Sequence, residues 1–343
     1  MRTHLNTLYV QTQGAYLGKE GETVRVKVDK QVKLTVPLHH LQGIVCFGRV
    51  SVSTSLMAAC SAQGMSIAFM SEHGRFQARV VPPTSGNVLL RREQYRLADR
   101  PDACLTVARS IVAGKIQNCR TLILRAAREA DSEEKAARLR KAGDRMACAL
   151  DGLARAESVD SARGCEGDAA RTYFEAFNDM IRQQNDVFFM NQRSRRPPLD
   201  PLNALLSFLY SVLTNDMVGA AEGVGLDPAV GYLHTDRPGR PSLALDLVEE
   251  FRPLIADRLA LSLINLRQVR PDGFAAQPGG AVLMDDATRK TVLTALTQRK
   301  REEVQHPLLE EKVPVGLLPH IQARLLARHI RGETTIYPAL VMK

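Results

Sequence analysis

The chain has 343 residues, 45% of them hydrophobic and 24% charged, which excludes collagen-like, low-complexity and wholly disordered chains and suggests about two domains. Forty-six Lys and Arg against 37 Asp and Glu leave a formal charge of +9, a balance that favours a polyanionic partner through counterion release. Aromatic residues make up 5% of the chain and Trp is missing, which argues against a protein that stacks single-stranded bases.

In chain order, residues 8–81 read as strands. Thr23–Val28 alternates apolar and basic side chains with period two, and residues 32–36 repeat the pattern. One interruption, residues 53–63, is helix-like and stops at Gly64, and residues 65–70 resume a buried strand. Residues 82–87 form a linker rich in Pro, Ser and Gly. Helical periodicity then dominates, with helices predicted at 131–150, 167–193, 201–219, 242–269, 286–304 and 316–330, and a loop or short hairpin over 270–280. The expected fold class is α+β. Residues 1–84 form a β-rich domain, residues 85–100 a linker and the start of the helical region, and residues 101–343 a larger all-α domain.

Cys46, Cys60, Cys104, Cys119, Cys148 and Cys165 contain no Cys-x-x-Cys pair and read as reduced thiols, which excludes zinc-finger and iron–sulfur sites. The longest apolar runs, such as 204–210, fall short of the roughly 20 residues of a membrane span, and the N-terminus has no signal-peptide core. A cytoplasmic protein without a membrane partner is expected. No phosphate loop, nucleophile elbow or His-Glu-x-x-His motif appears, which disfavours phosphate-loop NTPases, α/β hydrolases and zincins.

Three stretches carry chemistry. In the first, GCEGDAARTYF at 164–174, Glu166 sits at the opening turn of a predicted helix, where it either complements the helix dipole or serves as a ligand. The second, RSRRPPLDP at 193–201, is a basic cluster stiffened by Pro-Pro and leading into a helix that Asp200 caps. Its arginines read equally as a solvated helix end or as a grip on phosphates. The third, GYLHTDRPGRPSLALDLVEEFRP at 231–253, places His234 in a Gly/Pro-bounded loop before a Leu-rich helix. Asp246 and Glu249 stand on one face of that helix, three residues apart. Carboxylates in such a setting are costly to bury unless they are paired or hold a cation. With one imidazole, they suit Mg²⁺ or Mn²⁺ better than structural zinc.

Together with the order of the domains, these stretches and RRPPLDPLNALLSFLYSVL at 195–213 closely resemble the CRISPR-associated adaptation integrase, the first of the Cas proteins. Length and the wording around 193–201 point to the subtype I-C branch. The resemblance implies a β-sandwich-like N-terminal domain that forms a homodimer and a helical catalytic domain. It implies Glu166, His234 and Glu249 as metal ligands, with Asp246 as a fourth catalytic residue lining the site. Glu250, about 100° further round the helix, is set aside. Arg193, Arg195, Arg196, Arg237 and Arg240 are the candidate DNA-facing positions by charge. The implied activity is metal-dependent endonuclease and integrase chemistry that inserts double-stranded DNA fragments at a CRISPR repeat. The implied partner is the small ferredoxin-like second Cas protein. Two other readings stand beside it: a non-catalytic nucleic-acid-binding scaffold, and a phosphoesterase acting on small molecules.

Overall fold

The computed structural model describes residues 7–82 and 88–342. The chain divides into two compact units, Met1–Gly86 and Asn87–Lys343.

In the first unit β1 (Thr7–Val10), β2 (Tyr16–Glu20), β3 (Thr23–Val28), β4 (Gln31–Pro37), β5 (Gly43–Phe47) and β6 (Ser51–Val52) precede α1 (Thr54–Ala62), β7 (Ser66–Met70) and β8 (Phe76–Val80). They form two four-stranded sheets, ordered β1-β5-β7-β8 and β4-β3-β2-β6. The second sheet contains the antiparallel meander that the period-two alternation predicts, with Leu17 opposite Val26 and Val24 opposite Val36. In the first sheet β5 and β7 run parallel, so the chain must cross over between them, and α1 lies on that crossover. Ser53 caps α1 by accepting the Leu56 N–H at 3.2 Å. Val24, Val26 and Leu17 from one sheet share a core with Ile44, Cys46 and Ile67 from the other and with Leu56 and Cys60 of α1. One apolar layer between two sheets is a sandwich.

The second unit contains α2 (Val88–Ala98), α3 (Pro101–Arg128), α4 (Glu133–Ala154), α5 (Val159–Phe177), α6 (Pro201–Val224), α7 (Ser242–Phe251) and α8 (Arg258–Asn265). After these come the hairpin β9 (Phe274–Ala276) with β10 (Val282–Met284), α9 (Asp286–Arg301), the hairpin β11 (Glu303–Gln305) with β12 (Lys312–Pro314), and α10 (Leu318–Ile330). The long α3 is central and packs on α4, α5 and α7, while α6 packs on α7 and α10. Asp200 caps α6 through the Asn203 N–H at 2.7 Å, with Pro201 at the first helical position. By length and composition α6 could cross a membrane, with a mean hydropathy of 1.3 over its best window, but 67% of that window is buried inside the unit. It is a core helix here. Cys46, Cys60, Cys104 and Cys119 are buried, Cys148 is exposed, and all six cysteines are free.

Two predicted helices are corrected. The one expected over 167–193 starts earlier, at a Ser158/Ser161 capping box, and ends at Phe177. Beyond it the backbone is held by side-chain amides instead of helical bonds. Asn178 exchanges two bonds with the Met190 backbone, at 2.9 and 3.1 Å, and Asn265 Oδ1 accepts the Arg182 N–H at 2.8 Å. The helix expected over 242–269 is interrupted by a π-helical stretch, Arg252–Asp257, that contains Pro253, which has no N–H to continue the α-ladder. The hairpin β9–β10 falls where a loop or short hairpin was expected, and β11–β12 adds strand beyond the end of α9.

Candidate active site

Glu166 lies within α5, two turns past its start, and not at a helix opening as its flanking glycines suggested. From there it faces Lys115 of α3, and the two side chains form an ion pair. Lys115 also reaches Glu249 of α7, with Nζ 2.5 Å from Oε2. The other oxygen of Glu249, Oε1, pairs with Arg252 at 3.0 Å. Two carboxylates from different helices thus converge on one buried ammonium, with a guanidinium beside them.

These charges support one another. Burial alone would raise the Glu249 carboxyl, but Arg252 and Lys115, with a smaller pull from His234, hold it below the ordinary glutamate range. Burial pulls Lys115 the other way, and Glu249 and Glu166 keep its ammonium above the ordinary lysine range. His234 exerts its smaller pull while anchored to Asp246, one turn before Glu249 on α7. Among the described residues no three His, Cys, Asp or Glu side chains form a ready-made metal cage, and the Lys115 ammonium pairs with both carboxylates.

Asp246 does not line this space. It is fully buried behind the loop that carries His234. Its carboxylate accepts the backbone N–H groups of Tyr232, Leu233 and His234 at 2.6, 2.9 and 2.9 Å, and its Oδ1 lies 2.7 Å from His234 Nδ1. Asp246 is therefore a positioning residue. It fixes the loop and the ring together and leaves His234 Nε2 as the ring nitrogen turned to other work. Gly231 permits this close approach, since a Cβ there would come within 2.8 Å of Asp246 Oδ2 and 2.9 Å of the Ser242 backbone. Arg163 of α5 steadies the loop further, donating to the Leu233 carbonyl at 2.7 Å.

A family model described as CRISPR associated protein Cas1 matches residues 8–298. The chain belongs to the Cas1 family. CRISPR-associated endonuclease Cas1 2 of Rhodospirillum rubrum is 52% identical over 342 residues, 98% of either chain. CRISPR-associated endonuclease Cas1 1 of Chlorobaculum tepidum is 50% identical over 343 residues, the full length of both. Among solved structures, a CAS1 protein from Thermotoga maritima shares the fold with a TM-score of 0.83 at 24% identity, covering 95% of this chain and 97% of that one.

In this Cas1 chain the predicted basic surface separates into two kinds of residue. Arg193 turns inward and donates to Asn203 Oδ1 at 2.6 Å and to Ser207 Oγ at 3.2 Å. Its guanidinium lies 5.3 Å from the Tyr210 ring centre and 5.9 Å from that of Phe174. It is a structural residue, which corrects its placement on a DNA-facing surface. Arg195, Arg196 and Arg237 are exposed, and Arg240 is half-buried in the turn before α7.

Lys115 and Asp257 are missing from the residues predicted for the site. Asp257 accepts the hydroxyls of Tyr210 and Tyr173 at 2.6 and 2.8 Å, and burial raises its carboxyl to about 6 against those two bonds. Arg252 lies 4.8 Å over the Tyr210 ring, so the Tyr210–Asp257 pair forms the wall behind it. The signal for Lys115 was available: it occupies the position between Ile111 and Cys119 on the buried stripe of α3, where a lysine needs an anion. Glu250, set aside from the sequence, is fully buried and clamps the end of the chain. It accepts the Leu340 N–H at 2.6 Å, the Tyr337 hydroxyl at 2.7 Å and the Gln322 amide at 3.0 Å. Asn118 of α3 holds the same segment, donating to the Leu340 carbonyl at 2.8 Å and accepting the Met342 N–H at 3.1 Å. Gly114 leaves room for this strap, since a Cβ there would lie 2.9 Å from that of Ala339.

Proposed function

We propose that the chain is a metal-dependent DNA endonuclease and integrase that inserts short double-stranded DNA into a CRISPR array by transesterification, as part of antiviral defence. The observation that carries this reading is the pairing of Glu166 and Glu249, from different helices, with the one Lys115 ammonium, together with a His234 held by Asp246 one turn from Glu249, in a family whose Rhodospirillum and Chlorobaculum members bear the name endonuclease. The donor chemistry fits the implied ion. Two carboxylates and one imidazole Nε2, its Nδ1 committed to Asp246, give the oxygen-rich set with one nitrogen that Mg²⁺ or Mn²⁺ accepts. Held by Glu166, His234 and Glu249, the ion would polarise the phosphodiester and activate a hydroxyl or water.

The chain's own residues do the rest. As the 3′ oxygen of the incoming strand bonds to phosphorus, the bond to the departing 3′ oxygen of the repeat strand breaks; the attacking hydroxyl loses a proton and the leaving oxygen gains one. Lys115 and Arg252 place positive charge where the pentavalent phosphorus gathers negative charge. Asp246 keeps His234 in register. Arg195, Arg196, Arg237 and Arg240 hold the duplex by its phosphates, and shape and deformability contribute to choice of the target. With water as the nucleophile the same site cleaves DNA. In this reading the β unit forms the homodimer, the small second Cas protein bridges two dimers, the assembly works in the cytoplasm, and a subtype I-C repeat is its target.

The test is joining of a labelled duplex to a plasmid bearing that repeat, in Mn²⁺ or EDTA, with and without the second Cas protein. Joining should require the metal, and Glu166→Ala and His234→Ala should abolish it while duplex binding persists. Salt-sensitive binding without joining or cleavage under any condition would replace this proposal with the scaffold reading.

A further inference from the structure

Both oxygens of Glu249 are engaged by cations, Oε2 by Lys115 and Oε1 by Arg252, and the same Lys115 ammonium pairs with Glu166. Lys115 and Glu249 are poorly hydrated and Glu166 is half-buried. Lys115 is 11% exposed, Glu249 4% and Glu166 26%. A divalent ion binds carboxylate oxygens at about 2.0–2.2 Å, within contact of an ammonium that uses the same atoms. Two cations so placed repel strongly when water is scarce. Arg252 also lies over the Tyr210 ring, whereas among the described residues Lys115 makes ion pairs only with these two carboxylates.

Resting on the metal-site reading above, we infer that Lys115 is a competing counter-cation that couples metal binding to DNA binding. A divalent ion occupies the carboxylates only as the Lys115 ammonium leaves them. A freed ammonium in this setting needs another anion, and a phosphate of bound DNA supplies it. Each ligand therefore tightens the other by the same factor. Without DNA, Lys115 keeps the carboxylates neutralised and the centre poorly loaded, so indiscriminate hydrolysis is suppressed at rest.

The test is Mn²⁺ binding, read from the electron paramagnetic resonance of the free ion. A short duplex with dideoxy 3′ ends prevents joining, and ions held by the duplex alone are subtracted. For the wild-type chain the duplex should tighten Mn²⁺ binding about tenfold, and Mn²⁺ should tighten duplex binding equally. Lys115→Gln should bind Mn²⁺ about tenfold tighter than wild type without DNA, and its coupling factor should fall to near one. Lys115→Arg should keep the restraint. Wild-type Mn²⁺ affinity that ignores the duplex would overturn the inference without relying on any variant to fold, as would a Gln variant that binds Mn²⁺ no tighter. Mn²⁺ binding that Glu166→Gln weakens, but to which the duplex and Lys115 are indifferent, overturns this inference and spares the metal site. Binding that Glu166→Gln leaves unchanged overturns both.

Discussion

Among the described residues the β unit buries only apolar side chains and glycine, with Leu17, Val24, Ile44, Leu56 and Ile67 at its centre. The helical unit buries Lys115, Asn118, Asp246, Glu249, Glu250, Asp257 and Gln322 among its leucines. The first unit is held by area removed from water. In the second, the desolvation of each charge must be offset by a specific partner, and removing one partner strands the other. Stability in the β unit is therefore spread over many interchangeable contacts, while in the helical unit it is tied to particular pairs of atoms, some of which, at Lys115 and Glu249, belong to the candidate site.

The sharpest way to separate the two is a cavity in the β core. Ile67→Ala should lower stability by about 2–5 kcal/mol in thermal or denaturant unfolding, yet leave Mn²⁺ affinity unchanged below the transition. A loss of metal affinity in step with stability would erase the distinction. Next in size is Asp246→Asn, whose amide cannot accept all of the bonds that the carboxylate accepts now. Metal affinity or joining should fall about 10- to 100-fold as the His234 ring loses its orientation.

Asp257 gives a pH test. Its native carboxyl titrates at about 6, against an ordinary value of 3.8, so between those values the native chain holds a proton that the unfolded chain has lost. The contribution of Asp257 to native stability therefore declines as pH rises from about 4 to about 6. Asp257→Asn should flatten that decline, shifting the difference between variant and wild type by roughly 2 kcal/mol across the window. Parallel curves would show that the burial of this acid has no such effect. The smallest effect separates Arg195 from Arg193. Arg195→Ala should weaken duplex binding and reduce the slope of log affinity against log salt by about 1, whereas Arg193→Ala should lower unfolding temperature and leave that slope alone.

The same contrast governs what could be read beforehand. Alternation in Thr23–Val28 and the Asp200-Pro201 start of α6 are local signals, and both appear in the structure as expected. The end of α5 at Phe177 was illegible because the segment after it is held by amides from Asn178 and Asn265, the second far along the chain. Glu166, His234 and Glu249 were named through motif resemblance, but the ion pairs that join Glu166 to Glu249 run through Lys115, 51 residues from Glu166 in sequence. A lone lysine on an apolar stripe marks a buried charge without naming its partners. The role of Asp246 was misread for a related reason: spacing puts it on the same face as Glu249 but does not say that a loop folds back to claim it.

The strap held by Asn118 and Glu250 has a consequence for synthesis. Leu340 follows Asn118 by 222 residues, so at about 5–20 residues per second the ribosome adds it roughly 10–45 s after Asn118. Until then Asn118, three residues from Lys115, and Glu250, next to Glu249, lack the partners that close over them. The helices bearing the ammonium and its carboxylate thus reach their final packing only after residue 340 has been added, well after the helices themselves have been made.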